Sequence, residues 1–423
     1  MVRVTSISLP GMNCGRNADA ALDRNRVLSI IMALPANRLL RLALVLAFCC
    51  TFALASSPEA PASSETRMDA LQIIGYVFPQ DRVLAASEIE ARRLTRVNYA
   101  FANIKGGEIV EGFSHDAENF VILNTLKRTN PALKILVSVG GWTWSGGFSD
   151  AALTPRARAR FIDSAVRFIE RHHLDGLDID WEYPGQVGNG NTFRPEDKQN
   201  YTLLLRDLRL RFDREQTRLG RRLYTSIATG ASTKFLDHTE MAKVAHYVDT
   251  VNLMTYDYYV GGPATGHDAP LFHNPGDPKN VSSDRSVTEY LAAGVPASKI
   301  VLGVPFYGRS WGEVADKNHG LFQPGKPARG FHFSYPELPN LLATGFTRYW
   351  DEDACAPYLY NPQTKIFVTY EDPQSLSAKS RYVHANHLAG IMFWEYFNDS
   401  TGILLEAVHG GLTPTLSASA DKD

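Results

Sequence analysis

Leu174-Asp175-Gly176-Leu177-Asp178-Ile179-Asp180-Trp181-Glu182-Tyr183-Pro184 places four carboxylates within eight residues and alternates them with apolar side chains. Alternation at period two marks a strand. Leu177, Ile179 and Trp181 then share one face, and Asp178, Asp180 and Glu182 share the other. Same-face neighbours lie roughly 6.5–7 Å apart along a strand. Three acids that close, on a strand whose other face is apolar, cannot all ionise cheaply, so at least one pKa must rise. A carboxyl kept protonated near neutral pH suits general-acid chemistry. An exposed acidic face explains the stretch poorly, because Leu, Ile and Trp fill every gap. A carboxylate metal site would need further oxygen ligands, and the adjoining sequence offers no obvious set.

Working outward, the chain settles into strand, loop, helix from Leu71 onward. Strands are expected at Leu71–Phe78, Val97–Ile104, Lys134–Val139, the acidic stretch, Leu223–Ala228, Val248–Thr255, Ile300–Phe306 and Leu388–Phe393. Helices are expected near 86–94, 118–129, 239–246, 283–293, 375–386 and 402–409. Two more open at Thr154-Pro155 and Pro195-Glu196-Asp197. Thr is a good helix cap and Pro suits the first helical position. Eight strands with intervening helices predict an α/β fold, a (β/α)8 barrel over residues 70–410. The unit between strands seven and eight is too long for one helix. Its runs Phe331–Tyr335, Thr347–Trp350 and Lys365–Tyr370 predict a small α+β subdomain at 310–374, on the face that carries the strand C-termini.

Composition sets bounds. The chain has 423 residues, 44% apolar and 21% charged, with a net charge of −2. That is ordinary for a globular protein and gives no basic footprint for nucleic acid. Asn37–Arg41 is basic, Leu42–Ala55 is an apolar run, and Ala53-Leu54-Ala55 is a small-x-small cleavage pattern. Residues 1–55 therefore read as a secretory signal region, with Met32 as the expected true start. The apolar run is short for a membrane span. Residues 56–69 read as a flexible leader and 411–423 as a tail. Of Cys14, Cys49, Cys50 and Cys355, only the last survives signal removal, so no internal disulfide is expected.

The spacing Asp175-x-x-Asp178-x-Asp180-x-Glu182 resembles the motif of glycoside hydrolase family 18, the chitinases, and the resemblance extends from about residue 71 to 409. It implies a secreted enzyme that hydrolyses β-1,4 links between N-acetylglucosamine units. The family is a substrate-assisted exception among retaining glycosidases. The resemblance implies Glu182 as proton donor, and Asp180 as the contact to the substrate acetamido group that exchanges a proton with Asp178. It also implies Tyr256 and Asp257 steadying that acetamido group, with Tyr76 and Ser138 bonding Asp178. Trp394 would be the aromatic floor. Asp175 reads as structural, and Trp181 as packing behind the strand.

Other strand ends contribute Gly141, Trp142, Met254, Tyr183 and Arg309 as candidate substrate contacts. Trp142, Trp144, Tyr307 and Tyr358 could be further sugar platforms. The expected partner is chitin or a chito-oligosaccharide, acted on by a monomer. No cofactor, metal, nucleic acid or stable membrane association after signal cleavage is expected. The alternatives are an endo-β-N-acetylglucosaminidase acting on N-glycans, a non-catalytic chitinase-like lectin, and an unrelated carboxylate-metal hydrolase on the same barrel.

Overall fold

The computed structural model describes residues 71–413. The signal region, its start at Met32, the leader and nearly all of the tail lie outside them. Eight parallel strands form a closed barrel: β1 Gln72–Val77, β2 Arg96–Lys105, β3 Lys134–Gly140, β4 Gly176–Asp180, β5 Tyr224–Gly230, β6 Thr250–Met254, β7 Ile300–Pro305 and β8 Gly390–Trp394. Each strand pairs with its neighbour in chain order. Closure comes from β1 pairing with β8, where Gln72 faces Gly390 and Gly75 faces Phe393. The expected (β/α)8 architecture is the one observed.

The alternation in β4 has a direct structural consequence. Leu177 and Ile179 are fully buried on the outer face of the strand, and Trp181 follows them. Trp181 stacks on Phe148 at 5.3 Å between ring centroids and meets Tyr201 edge-on at 5.8 Å. Phe148 opens the helix Phe148–Leu153, and Tyr201 lies in the helix Asp197–Leu219. These contacts lock β4 against the helical layer and turn Asp178 and Asp180 inward. The helix Pro155–Arg171 delivers the chain to β4. Its cap is Thr154, whose hydroxyl accepts from the Ala157 amide at 3.1 Å.

Two local expectations change. The β1–β2 link is two short 3-10 turns, Ala86–Glu88 and Ala91–Arg93, rather than one helix. Its buried apolar residues are Leu84, Ile89, Ala91 and Leu94, a spacing that no single helical face provides. β2 runs on to Lys105 and folds back as a hairpin with Glu108–Val110.

Between β7 and β8 the strands Arg309–Gly312, Lys326–Pro327, Thr347–Asp351, Ala356–Asn361 and Ile366–Thr369 form a separate five-stranded antiparallel sheet. One of its faces packs Trp311, Tyr358, Tyr360 and Phe367 into a core of their own. The other buries Phe333, Phe346, Leu359 and Val368. Among the described residues no helix is long and apolar enough to cross a membrane.

Candidate active site

At the C-terminal ends of the strands lies a cavity of about 1640 Å³. Pockets for small ligands are roughly 300–1,000 Å³, so this one suits an extended oligomer. Asp180 and Glu182 face into it. Its floor is Trp394, which stacks on Phe101 at 5.4 Å and 23° and touches Phe78 at 5.5 Å and Tyr76 at 6.0 Å. Residues 327–328 and 331–334, from the segment that carries the second sheet, line one wall.

Beneath the cavity, Asp178 is fully buried. Tyr76 Oη at 3.0 Å and Ser138 Oγ at 2.8 Å donate to its Oδ2. Ser226 Oγ at 2.5 Å and Asn252 Nδ2 at 3.2 Å donate to its Oδ1. Four strands thus supply four donors, enough to occupy the lone pairs of a carboxylate. Burial pushes the Asp178 carboxyl up, while Ser226, the Arg96 charge, Ser138 and Tyr76 push it back.

Asp180 has no comparable set. Its Oδ1 is buried without a hydrogen-bond partner among the described residues. Burial, then the charges of Glu182 and Asp178, hold it well above the usual carboxylate range. Burial raises both aspartates, but only Asp178 has donors on both of its carboxylate oxygens. That asymmetry is how a protein assigns one proton between two acids.

Glu182 follows the strand and is 9% exposed. Its backbone is clamped: its amide donates to Ser145 Oγ at 2.9 Å, and its carbonyl accepts from Asn191 Nδ2 at 3.1 Å. Its carboxyl is pushed up to about 7, chiefly by burial, with the Asp257 charge adding to the rise and the Tyr183 hydroxyl opposing it. Asp257 has a left-handed backbone (φ 58°). It accepts from Tyr307 Oη at 2.8 Å and from Arg309 Nε and Nη2 at 3.0 and 2.6 Å. Burial raises the Tyr256 hydroxyl well above its ordinary value, so it stays a neutral donor in the cavity wall.

Tyr76, Trp142, Tyr183, Met254, Tyr256, Asp257, Arg309 and Trp394 all line the cavity. Ser138 and Gly141 lie outside its lining, Ser138 bonding Asp178 instead. Ser138 is sealed under Asp178. Gly141 (φ +71°) leaves room for the Phe101 ring, because a Cβ there would come within 2.7 Å of it. Gly140 (φ +104°) plays a similar part, since its Cβ would meet the Asp180 carbonyl at 2.3 Å. Among the suggested platforms, Trp142, Trp144 and Tyr307 reach the cavity. Tyr358 is 5% exposed inside the second sheet's core and is no platform. Asp175 lies apart, bonding the Ile135 amide at 2.8 Å and Lys127 at 2.7 Å.

The sequence reading missed Ser226, Asn252, Ser145 and Asp268. Asp268 is 1% exposed, with its Oδ1 4.0 Å from Arg309 Nε, and the Asp257 charge helps burial to raise it. A second cavity of about 630 Å³ opens at the opposite end of the barrel, beside Arg209, Arg222, Asp249 and Lys299. Its cations are already held by Asp249, Asp213 and backbone carbonyls.

The model of glycosyl hydrolases family 18 matches residues 72–399, which include every strand of the barrel as well as Asp180 and Glu182. The chain belongs to glycosyl hydrolases family 18. It is 36% identical to Chitinase A1 of Niallia circulans over 85% of its own length, and it spans 62% of that protein. It is 33% identical to Chitinase 1 of Aphanocladium album, covering 77% of this chain and 81% of the other. Among solved structures, a family 18 N-acetylglucosaminidase from Paenibacillus barengoltzii superposes with a TM-score of 0.73. That pair is 43% identical, over 81% of this chain and 99% of the other. As a family 18 member the chain carries the glycoside hydrolase fold with its carboxylates at the strand ends, as this barrel does.

Proposed function

We propose that this family 18 protein is a secreted chitinase that cleaves β-1,4 links between N-acetylglucosamine units with retention of configuration. The observation that carries the reading is Glu182, a clamped carboxyl raised to about 7, in an aromatic-floored cavity beside a second acid, Asp180, which burial raises well above the usual carboxylate range. Glu182 donates its proton to the leaving glycosidic oxygen. The substrate's own acetamido oxygen attacks the anomeric carbon, the route known for this family. The resulting oxazolinium ion is stabilised by Asp180, and Tyr256 holds the acetamido oxygen. Water, deprotonated by Glu182, then opens the ion. Trp394 supports the apolar face of the sugar ring.

The experiment is hydrolysis of chitin hexasaccharide followed by proton NMR. The reading expects the β-anomer first among new reducing ends, and no cleavage of the fully de-N-acetylated hexamer. Initial α-anomer, or equal cleavage of the de-N-acetylated chain, would overturn it. A second reading, removal of single N-acetylglucosamine units, is favoured by the 43% identity to the Paenibacillus barengoltzii N-acetylglucosaminidase. The same reaction separates the two: monomer alone as the initial product supports the second reading, and disaccharide or longer products support the first. Secretion is tested by comparing medium with cell fractions, with Ser56 as the expected first residue of the exported form.

A further inference from the structure

Arg96 is 3% exposed at the start of β2, inside the barrel. It reaches across the barrel axis to β6. There its Nη2 donates to Thr250 Oγ1 at 2.8 Å and to Asn252 Oδ1 at 3.2 Å. Asn252 passes the polarisation on: its Nδ2 donates to Asp178 Oδ1 at 3.2 Å and to Tyr76 Oη at 3.0 Å. Arg96 has no direct ion pair among the described residues, and its Nε has no partner among them.

A guanidinium buried this way is costly, and proteins tolerate such cations only when a counter-charge is close. The groups facing Arg96 are Asp178 and Tyr76 above it, and Asp249 and Tyr224 below. Asp249 is engaged by Arg222 and by Arg209 at 3.7 Å. Asp178 is the anion left to balance Arg96. Asp178 in turn is faced by Tyr76 from β1, Arg96 from β2, Ser138 from β3, Asp180 on its own strand, Ser226 from β5 and Asn252 from β6. Among the described residues, Arg96 is the cation that acts on Asp178 in that shell.

We infer that Arg96 is a positioning residue whose fixed charge, relayed through Asn252, keeps Asp178 ionised and so leaves the shared proton on Asp180 in the resting enzyme. The inference rests on the assignment of Asp180 and Glu182 to catalysis proposed above. Arginine stays protonated across the working range, so the bias does not switch off with pH. Removing the charge favours protonated Asp178. The pH needed to ionise it then rises, and the acidic limb of the rate profile moves to higher pH.

The test compares Arg96→Met and Arg96→Lys with the wild type on chitin hexasaccharide. Arg96→Met should move the acidic limb of kcat up by roughly one pH unit, a tenfold change in the ionised fraction, with KM little changed. Arg96→Lys should return the limb most of the way. A folded Arg96→Met with the wild-type limb, or a limb moved equally by Arg96→Lys, overturns the inference. Carboxyl carbon-13 NMR of the wild type needs no folded variant at position 96. The Asp178 signal, assigned by its loss in Asp178→Asn, should titrate at lower pH than that of Asp180, and the reverse order overturns the inference. Failure of the underlying assignment looks different, because Glu182→Gln and Asp180→Asn would then hydrolyse the hexasaccharide at the wild-type rate.

Discussion

Ser226 on β5 stands in register with Asp178 on β4 and donates to its Oδ1 at 2.5 Å. It is the shortest of the four bonds to the buried aspartate, and it comes from the neighbouring strand at the same height. Ser226→Ala should therefore do two things. A lost bond to a buried charge costs about 1.5–3 kcal/mol, which urea unfolding at pH 7 would read. The Asp178 carboxyl should also rise, carrying the acidic limb of kcat upward with it. Unchanged stability together with an unchanged limb would show that the bond does not matter.

Glu182, raised to about 7, must be protonated to act as an acid. The free-enzyme profile of kcat/KM should accordingly fall as pH rises through about 7. The Asp257 charge contributes to that rise. Asp257→Asn removes a negative charge, makes the Glu182 anion easier to form, and should shift the fall to lower pH. A shift to higher pH would contradict this electrostatic assignment.

The same raised value carries a stability consequence. Glu182 has an ordinary value of 4.5 and a folded value of about 7. Below the ordinary value both folded and unfolded chains hold the proton, and there is no penalty. As pH climbs from there to about 7, the unfolded chain ionises freely while the folded one does not, so stability falls. Glu182→Gln should remove that loss, on the order of 3 kcal/mol. Its melting temperature relative to wild type should rise more at pH 8 than at pH 4. Glu395, also pushed up to about 7 by burial, keeps its own penalty in both proteins.

Trp394 is held flat by Phe101, so its ring is a preformed surface. Trp394→Ala should weaken oligosaccharide binding by about 2 kcal/mol, some thirtyfold in KM. Calorimetry with chitin tetrasaccharide would read it directly. Gly141→Ala should reproduce part of the effect without touching the sugar, by displacing Phe101.

Much of this site was legible in the chain because barrel chemistry sits at strand ends. Tyr76 lies near the end of a run that reads as a strand, Trp142, Asp257 and Trp394 follow such runs, and the acidic spacing identified β4 outright. Ser226 and Asn252 were not legible, because both lie inside apolar runs that read as core. What makes them functional is the closed barrel's register, which brings Ser138, Asp178 and Ser226 to one level and which no local pattern encodes. Arg96 was hidden for a related reason. An arginine just ahead of a strand reads as a surface residue until closure points it along the barrel axis. Tyr358 erred the other way: its aromatic run belongs to a second sheet with a core of its own.

The central claim is that Glu182 is the acid and base of the reaction, and its most direct test is the hydrolysis rate of purified Glu182→Gln on chitin hexasaccharide, with binding of the same sugar measured in parallel. The account predicts a fall in kcat of about 10²–10⁴ or more with affinity within a few-fold of wild type. Hydrolysis at the wild-type rate would contradict it.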